Sequence, residues 1–236
     1  MDVGRPIMRS CGHSFLPHVL TRDSTIVDFG VHKGEFAGDL IRGFSCRVFG
    51  AEPVPELYAQ LPQHENFAAL PVAVGERNGQ VDINVFDSRC ASVVSKETEN
   101  NVTTVSVECV TLEEFLSRFN LSFVDLLKID IEGAEIGLFR GANDDTLQKI
   151  KQITIEFHDF LFPETRRDVA EVMERLKALG FWRINFSLDN TDVLFINRNV
   201  LDLGRFEYAF LKYFVKYIKG FERVARQAWP RRVITL

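Results

Sequence analysis

The sequence of 236 residues lacks the features that mark secreted, membrane-spanning and zinc-stabilised proteins. It has only four cysteines, with no CxxC pair and no histidine at ligand spacing, which argues against a zinc site and a disulfide framework. No window of about 18 apolar residues occurs, so we expect no membrane-spanning helix. Residues 1–10 lack the apolar stretch of a signal peptide. These absences predict a cytoplasmic protein.

A positive charge spread over the whole chain is also missing. The formal net charge is −5, which argues against a nucleic acid as partner. Residues 205–236 are the exception, with eight lysines or arginines against two glutamates. This uneven distribution sets the C-terminal segment apart from the rest of the chain.

The C-terminal segment has the pattern of a basic amphipathic helix. Its apolar face comprises Phe206, Phe210, Phe214, Tyr217, Phe221, Val224 and Ala228. We favour docking of this face on the protein itself or on a second copy, because globular proteins bury such stripes routinely. Peripheral contact with an anionic membrane surface is the alternative.

What the sequence does contain is a regular alternation of strand-like and helical patterns between residues 25 and 198. This alternation predicts a doubly wound α/β fold with a mostly parallel sheet and a terminal antiparallel hairpin at 181–197. Within it we expect a third strand, an antiparallel excursion and a long amphipathic helix, at Phe67–Val74, Val81–Val110 and Arg166–Leu179 respectively. Thr111 is the expected N-cap of a helix, because Glu114 completes a capping box. We expect three regions: an N-terminal extension at 1–24 that serves as a lid, a domain at 25–198 and a helix at 199–236.

A glycine loop with the sequence DFGVHKG runs from Asp28 to Gly34, between a predicted strand and a helix. Glycines let backbone N–H groups approach a ligand closely at the carboxyl end of a strand. The spacing differs from GxGxxG, so the dinucleotide fingerprint fails. Asp28 would repel a pyrophosphate and attract the ammonium group of an amino-acid ligand. An ordinary strand-to-helix turn is the alternative interpretation.

A single carboxylate, Glu52, ends the next predicted strand, about 20 residues after the glycine loop. A carboxylate at this point can accept both ribose hydroxyls of an adenosine group. Glu52 alone is weak support, but with the glycine loop at this spacing it indicates an adenosine-type ligand.

Three carboxylates, Asp130, Glu132 and Glu135, crowd into the segment KIDIEGAE, where a strand meets a helix. Their mutual repulsion is costly unless a cation, a hydrogen-bond network or a proton-sharing role offsets it. The helix dipole favours acids at a helix N-terminus, which explains Glu135 well and Asp130 poorly. The cluster therefore favours a functional role.

Several segments, in their order and spacing, resemble the FkbM family of S-adenosylmethionine (SAM)-dependent methyltransferases. These segments are VDFGVHKGEF, FGAEP, NFAALPVAVGERNG, LLKIDIEGAEIGLFRGA and ITIEFH. The resemblance covers residues 25–198 and is most specific in KIDIEGAE. It implies a class I, Rossmann-like fold and O-methylation of a hydroxyl on a sugar, glycan or polyketide-type acceptor.

The resemblance also implies roles for individual residues. It places Asp28, Gly30 and Gly34 at the methionine end of SAM, Glu52 at its ribose, Ala73 and Val74 beside its adenine, and Asp130 and Glu132 towards the cofactor and the acceptor. His32 belongs to the same pocket but departs from the family, which usually has Ala-Asn where this chain has Val31-His32. The geometry of the methionine pocket is therefore expected to differ from that of the relatives.

Methyl transfer to an alcohol needs a general base or a metal, because the hydroxyl proton must leave. The catalytic candidates are Asp130, Glu132, His158, Glu156 and Asp159. His158 is attractive because its ordinary pKa of about 6.5 suits a base, although a structural role is equally compatible. Asp130, Glu156 and His158 are also candidate ligands for Mg²⁺. Arg89, in the segment Ser88–Ser95, is a candidate contact for an anionic acceptor, with a solvated loop as the favoured alternative.

Two other functions compete with methyl transfer. A nicotinamide-dependent oxidoreductase would need a GxGxxG loop and a catalytic Tyr/Lys or His pair, and the chain offers neither. A non-catalytic SAM-binding or interaction module stays open, because His32 and the basic C-terminal segment mildly favour it.

Overall fold

The computed structural model describes residues 6–86, 90–92 and 102–215. Thirteen strands occur in this part of the chain: β1 (Met8–Ser10), β2 (His13–Phe15), β3 (Thr25–Phe29), β4 (Arg47–Ala51), β5 (Phe67–Leu70), β6 (Ala73–Val74), β7 (Gly79–Phe86), β8 (Cys90–Ser92), β9 (Val102–Val110), β10 (Leu126–Ile129), β11 (Gln152–Ile155), β12 (Phe181–Asn185) and β13 (Val193–Asn197). The α-helices there are α1 (Glu35–Phe44), α2 (Pro55–Tyr58), α3 (Leu112–Arg118), α4 (Glu135–Gly141), α5 (Asp144–Gln148), α6 (Arg166–Ala178) and α7 (Arg205–Ala209).

The central sheet has seven strands in the order β12-β13-β11-β10-β3-β4-β5. The five strands from β11 to β5 are parallel, whereas β13 is antiparallel to both β11 and β12. The predicted class I, Rossmann-like fold with a terminal antiparallel hairpin is therefore confirmed. The strand order reverses between β3 and β10, and ligands of such sheets bind at this reversal, beyond the carboxyl ends of the strands.

Most residues of the parallel strands are apolar, because both faces of the sheet are covered. All five residues of β3 and all four of β10 are buried. Helix α1 buries its apolar stripe, which includes Phe36, Leu40 and Phe44, against one face. The other face packs against a larger cluster that includes Phe29, Phe115 and Phe139. The packed sheet thus fixes the positions of the residues at the carboxyl end of each strand.

A smaller sheet, in the order β6-β9-β7-β8, branches from the central one. The predicted antiparallel excursion at 81–110 corresponds to β7 and β9, which pair from Gly79–Cys109 to Phe86–Val102. The third predicted strand, Phe67–Val74, is instead divided, because Pro71 separates β5 in the central sheet from β6 in the smaller one. Proline has no N–H to continue a ladder, so the chain changes partner there.

The N-terminal residues form the hairpin β1–β2, which packs against the central sheet. Ser14 donates its backbone N–H and its hydroxyl to the buried carboxylate of Asp192. The backbone of Leu16 exchanges two hydrogen bonds with the side chain of Gln152. These bonds hold His13, Ser14 and Phe15 in the interior. A lid function for residues 1–24 stays a prediction.

The C-terminal segment begins as α7 and continues as a π-helical turn, Phe210–Val215. Leu211 is buried, and Tyr208 stacks on Trp182 and donates to the Arg183 carbonyl. Phe206 and Phe210, from the predicted apolar face, point outwards, with Phe206 93% exposed. Phe214 belongs to the same π-helical turn, and the other residues of that face lie outside the described part of the chain. In the described part of the chain, no helix is long and apolar enough to cross a membrane.

Candidate active site

A cavity of about 310 Å³ opens at the carboxyl ends of β3, β4 and β10. Its walls include most of the predicted cofactor residues: Gly30, His32, Glu52, Ala73, Val74 and Asp130. Glu132, a predicted acceptor-side residue, lines it as well. Asp28 and Gly34, the remaining two cofactor predictions, do not line the cavity. The sheet edge therefore brings together residues that are a hundred positions apart in sequence.

Glu52 is held by the backbone of the loops around it. Its Oε2 accepts a hydrogen bond of 2.7 Å from the His32 N–H, and its Oε1 accepts one of 3.0 Å from the Val54 N–H. Burial raises the pKa of this carboxyl above its ordinary value, while the two backbone hydrogen bonds act in the opposite direction. Glu52 thus fixes the shape of the glycine loop from the neighbouring strand.

Both glycines of the glycine loop have a left-handed backbone and a close neighbour where a Cβ would lie. Gly30 has a φ of +77°, and a Cβ there would collide with the backbone oxygen of Asp130. Gly34 has the same φ, where it precedes helix α1, and a Cβ would press on Pro62. His32 also has a positive φ, +54°. Histidine tolerates this conformation better than most residues, so His32 is compatible with the turn.

A buried lysine connects the loops that follow β3 and β10. Lys128 Nζ donates hydrogen bonds of 3.2 Å and 2.6 Å to the carbonyls of Phe29 and Gly30. The same ammonium lies 3.2 Å from Asp28 Oδ1 and 3.7 Å from Asp130 Oδ2. Among the described residues, neither Asp28 oxygen has a hydrogen bond of good geometry, so Lys128 supplies its compensating charge.

Burial and charge shift the pKa values of these three groups in different directions. Burial raises the pKa of Asp28 more than Lys128 lowers it. Burial alone would lower the pKa of Lys128, but the negative charges of Asp28 and Asp130 outweigh this effect, so the pKa of Lys128 is raised. Burial would raise the pKa of Asp130, but the hydrogen bond to His13 and the charge of Lys128 hold it well below its usual range. Asp130 is therefore an anion at neutral pH.

His158 lies between carboxylates. Its Nδ1 lies 2.8 Å from Glu135 Oε1, and its Nε2 lies 3.2 Å from Glu132 Oε2 and 3.9 Å from Asp130 Oδ1. Glu135 Oε1 also accepts hydrogen bonds from the backbone N–H groups of Ile131 and Gly133. Burial alone would lower the pKa of His158, but the hydrogen bonds to Glu132 and Glu135 raise it to about 11. Both ring nitrogens are thus engaged.

His13 is a site residue that the sequence reasoning missed. It is fully buried in β2, with Nε2 3.4 Å from Asp130 Oδ2 and with no hydrogen-bond partner for Nδ1 in the described part of the chain. One side-chain ligand atom from each of His13, Asp130 and Glu156 lies within 4.8 Å of the other two. Asp130, Glu132 and His158 form a second set with the same spacing. The Mg²⁺ candidates Asp130, Glu156 and His158 are thus divided between two sets that share Asp130.

Glu156 follows β11 directly, beside Asp130, which follows β10. Burial, and then the negative charge of Asp130, raise the pKa of Glu156 to about 7. Asp159, a further base candidate, accepts hydrogen bonds from the side-chain amide of Asn190. Arg89 and most of the segment Ser88–Ser95 lie outside the described residues.

Two apolar side chains follow shortly after His158 in the chain. The Phe160 ring lies 5.8 Å from the His158 ring, centroid to centroid, and both Phe160 and Leu161 are partly exposed. Neither residue lines the cavity itself.

Residues 28–182 of the chain match the sequence model of the protein family "Methyltransferase FkbM domain". This range contains the glycine loop, Glu52 and the acidic cluster, and ends within β12. It covers more than half of the chain.

Three curated proteins are similar to the chain. AMB antimetabolite synthetase AmbE of Pseudomonas aeruginosa is 40% identical over 70 residues, which are 30% of this chain and 3% of that protein. Methyltransferase 1 of Beauveria bassiana is 35% identical over 78 residues, 33% of this chain and 29% of that protein. The 2-O-methyltransferase NoeI of Sinorhizobium fredii is 23% identical over 176 residues, 66% of this chain and 72% of that protein. The match thus spans less than a third of the length of the first two.

Proposed function

The chain belongs to the family of FkbM methyltransferase domains, and from that premise we propose that it transfers the methyl group of SAM to a hydroxyl of a sugar, glycan or polyketide-type acceptor. The observation that carries this proposal is the cavity at the strand-order reversal, which combines a glycine loop, a buried Glu52 and the carboxylate of Asp130. The relative NoeI is a 2-O-methyltransferase, which supports a hydroxyl as the acceptor group.

The charges around the cavity suit SAM, which carries a positive sulfonium. Glu52, Asp130 and Glu132 line the cavity, and the buried Asp28 lies behind them. These four carboxylates face two cations, the ammonium of Lys128 and the imidazolium of His158. A site with excess negative charge attracts a cationic ligand. Glu52 is assigned to the ribose and Ala73 and Val74 to the adenine, as in the family resemblance.

The chain's own residues then align the reactants and handle a proton. When bound, SAM supplies a methyl group whose bond to sulfur breaks as the bond to the acceptor oxygen forms. We assign the capture of the acceptor's hydroxyl proton to Asp130 and Glu132, which are partly exposed at the cavity. His158 acts as a positioning residue, because its two nitrogens are engaged by Glu135 and Glu132.

The substitution Asp130→Asn tests this assignment. It keeps the size of the side chain but removes the anion beside Lys128, so we expect turnover to fall by about a hundredfold or more, the range of acid–base contributions. Transfer of label from SAM to candidate acceptors measures it. The surface substitution Glu171→Gln, in an exposed salt bridge on α6, serves as control. An Asp130→Asn protein with unchanged SAM binding and unchanged methylation would overturn the assignment.

A SAM-binding module without catalysis is the second candidate function, favoured by His32 in the predicted methionine pocket, where the family resemblance leads us to expect Asn. Calorimetry with SAM and S-adenosylhomocysteine, followed by the labelled transfer assay, separates the two. Binding without transfer to any acceptor supports the module, and binding of NAD in place of SAM contradicts both.

A further inference from the structure

Two carboxylates emerge side by side at the carboxyl edge of the central sheet. Ile129 and Ile155 are paired on the parallel strands β10 and β11, and the next residues along the two strands are Asp130 and Glu156. The backbone ladder continues past them, because the Glu156 N–H donates to the Ile129 carbonyl. Their placement is therefore set by the sheet and not by a loose loop.

The N-terminal hairpin brings an imidazole to the same place. Strand β2 is anchored to the sheet by Asp192 and Gln152, which bind the neighbours of His13. His13 is fully buried, and its Nδ1 has no partner among the described residues. The nitrogen that faces the carboxylates is Nε2, 3.4 Å from Asp130 Oδ2, and it is the atom placed to bind an ion between them.

The charge balance around these residues points the same way. The carboxylate of Glu156 has no ion pair within 4.0 Å in the described part of the chain, although Asp130, Glu132 and Glu135 all add negative charge nearby. The ammonium of Lys128 is already shared between Asp28 and Asp130, and His158 is engaged by Glu132 and Glu135. One more positive charge at Glu156 would offset the excess.

We propose that His13, Asp130 and Glu156 bind a divalent cation of the Mg²⁺ or Mn²⁺ type. Carboxylate oxygens suit both ions, and an imidazole nitrogen suits the first-row metals. The ligand atoms lie within 4.8 Å of one another, a spacing that a modest side-chain adjustment closes around an ion with bonds of about 2.1 Å. Three protein ligands leave positions for water or for an oxygen of the acceptor. This last role rests on the proposed function, whereas cation binding itself does not.

The proposal differs from the ligand set expected from the sequence in one residue. His158 belongs to the neighbouring set, where its Nε2 faces Glu132, and His13 takes its place beside Asp130 and Glu156. The two sets share Asp130, so substitutions at Glu156 and Glu132 tell them apart.

The test is the binding of Mn²⁺ to the full chain without SAM. Binding is measured by electron paramagnetic resonance, because the signal of free Mn²⁺ decreases when the ion binds to the protein. We expect the unmodified protein to bind Mn²⁺, with Mg²⁺ as a competitor. Glu156→Gln, which has almost the same shape, should weaken binding by about tenfold or more. Glu132→Gln is the matched control from the neighbouring set, and its affinity should stay within about twofold. Circular dichroism verifies that both variants are folded.

Two results would overturn the proposal: no binding by the unmodified protein at millimolar Mn²⁺, or binding that Glu132→Gln abolishes and Glu156→Gln leaves unchanged. These experiments distinguish an error in the cation-site proposal from an error in the proposed methyltransferase function. Methyl transfer in EDTA by a protein that binds no Mn²⁺ refutes the cation site alone. Binding of Mn²⁺ by a protein that does not bind SAM refutes the methyltransferase alone.

Discussion

At the scale of single residues, the site depends on close approach of two loops. Gly30 follows β3 and Asp130 follows β10, and the missing side chain of Gly30 makes room for the Asp130 carbonyl. Lys128 binds both loops by donating to the Gly30 carbonyl while it lies beside the Asp130 carboxylate. The backbone and the charges therefore place the glycine loop and the acidic cluster at a fixed separation.

Gly30→Ala should abolish SAM binding and lower the free energy of unfolding. The residue has a left-handed φ and no space for a Cβ, so either the loop or Asp130 must move. Gly12→Ala is a matched control, because Gly12 also has a left-handed φ, +92°, but no atom within 4 Å of a Cβ. It should cost only the backbone strain, about 1–2 kcal/mol. Urea denaturation and SAM calorimetry measure both variants, and equal effects would contradict a collision at Gly30.

Residue types and spacing were sufficient to predict several members of the site. Gly30, Glu52 and Asp130 each follow an apolar run that the fold places at the carboxyl edge, and all three line the cavity. His13 could not be predicted in this way, because it meets Asp130 across 117 positions and depends on a hairpin whose sequence carries no motif. The engagement of His158 by Glu135 and Glu132 is likewise a property of three-dimensional packing.

At the scale of secondary structure elements, hydrophobic periodicity predicted the parallel strands and the long helix α6 closely. Local capping was predicted only in part. Thr111 is the N-cap of α3 and accepts from the Glu114 N–H, as expected. The reciprocal half of the capping box is absent, since the Thr111 N–H donates to Asn78 and the Glu114 carboxylate binds Arg118. A tertiary contact with Asn78 and an i,i+4 ion pair within α3 therefore take the place of the reciprocal bond.

Strands β3 and β10 are tied by the ion pair between Asp28 and Lys128, and its loss should be costly. Lys128→Met leaves Asp28 buried without a compensating charge, so we expect a loss of about 3–5 kcal/mol in the free energy of unfolding. Lys177→Met is the control, because Lys177 forms an exposed pair with Glu174 on α6 and should change stability by about 0.5 kcal/mol or less.

The double variant Lys128→Met with Asp28→Asn separates charge from packing. Removing the unpaired carboxylate should recover part of the stability that Lys128→Met loses. Denaturant titration of the single and double variants gives the comparison. If the double variant is no more stable than Lys128→Met, the charge of Asp28 is not the cause of the loss.

At the scale of the whole molecule, the charge is distributed unevenly. The net charge of −5 combines an acidic site with a C-terminal segment rich in lysine and arginine. The first turns of that segment pack on the edge strand β12 through Tyr208 and Leu211. Phe206, Phe210 and Tyr213 follow one another at intervals of three or four residues and are left exposed, and exposed apolar patches are typical of interaction surfaces.

We predict that these exposed side chains mediate association of two copies of the chain. The double substitution Phe206→Ser and Phe210→Ser should shift the protein from dimer to monomer in sedimentation velocity. Its thermal stability should change little, because neither ring is buried. Tyr208→Phe is the control, since it removes only the hydrogen bond to Arg183 and should leave the dimer intact. Another result would contradict association of two copies and favour membrane contact. In that case the unmodified protein is monomeric and sediments with anionic liposomes, and truncation after Leu203 abolishes its sedimentation with them.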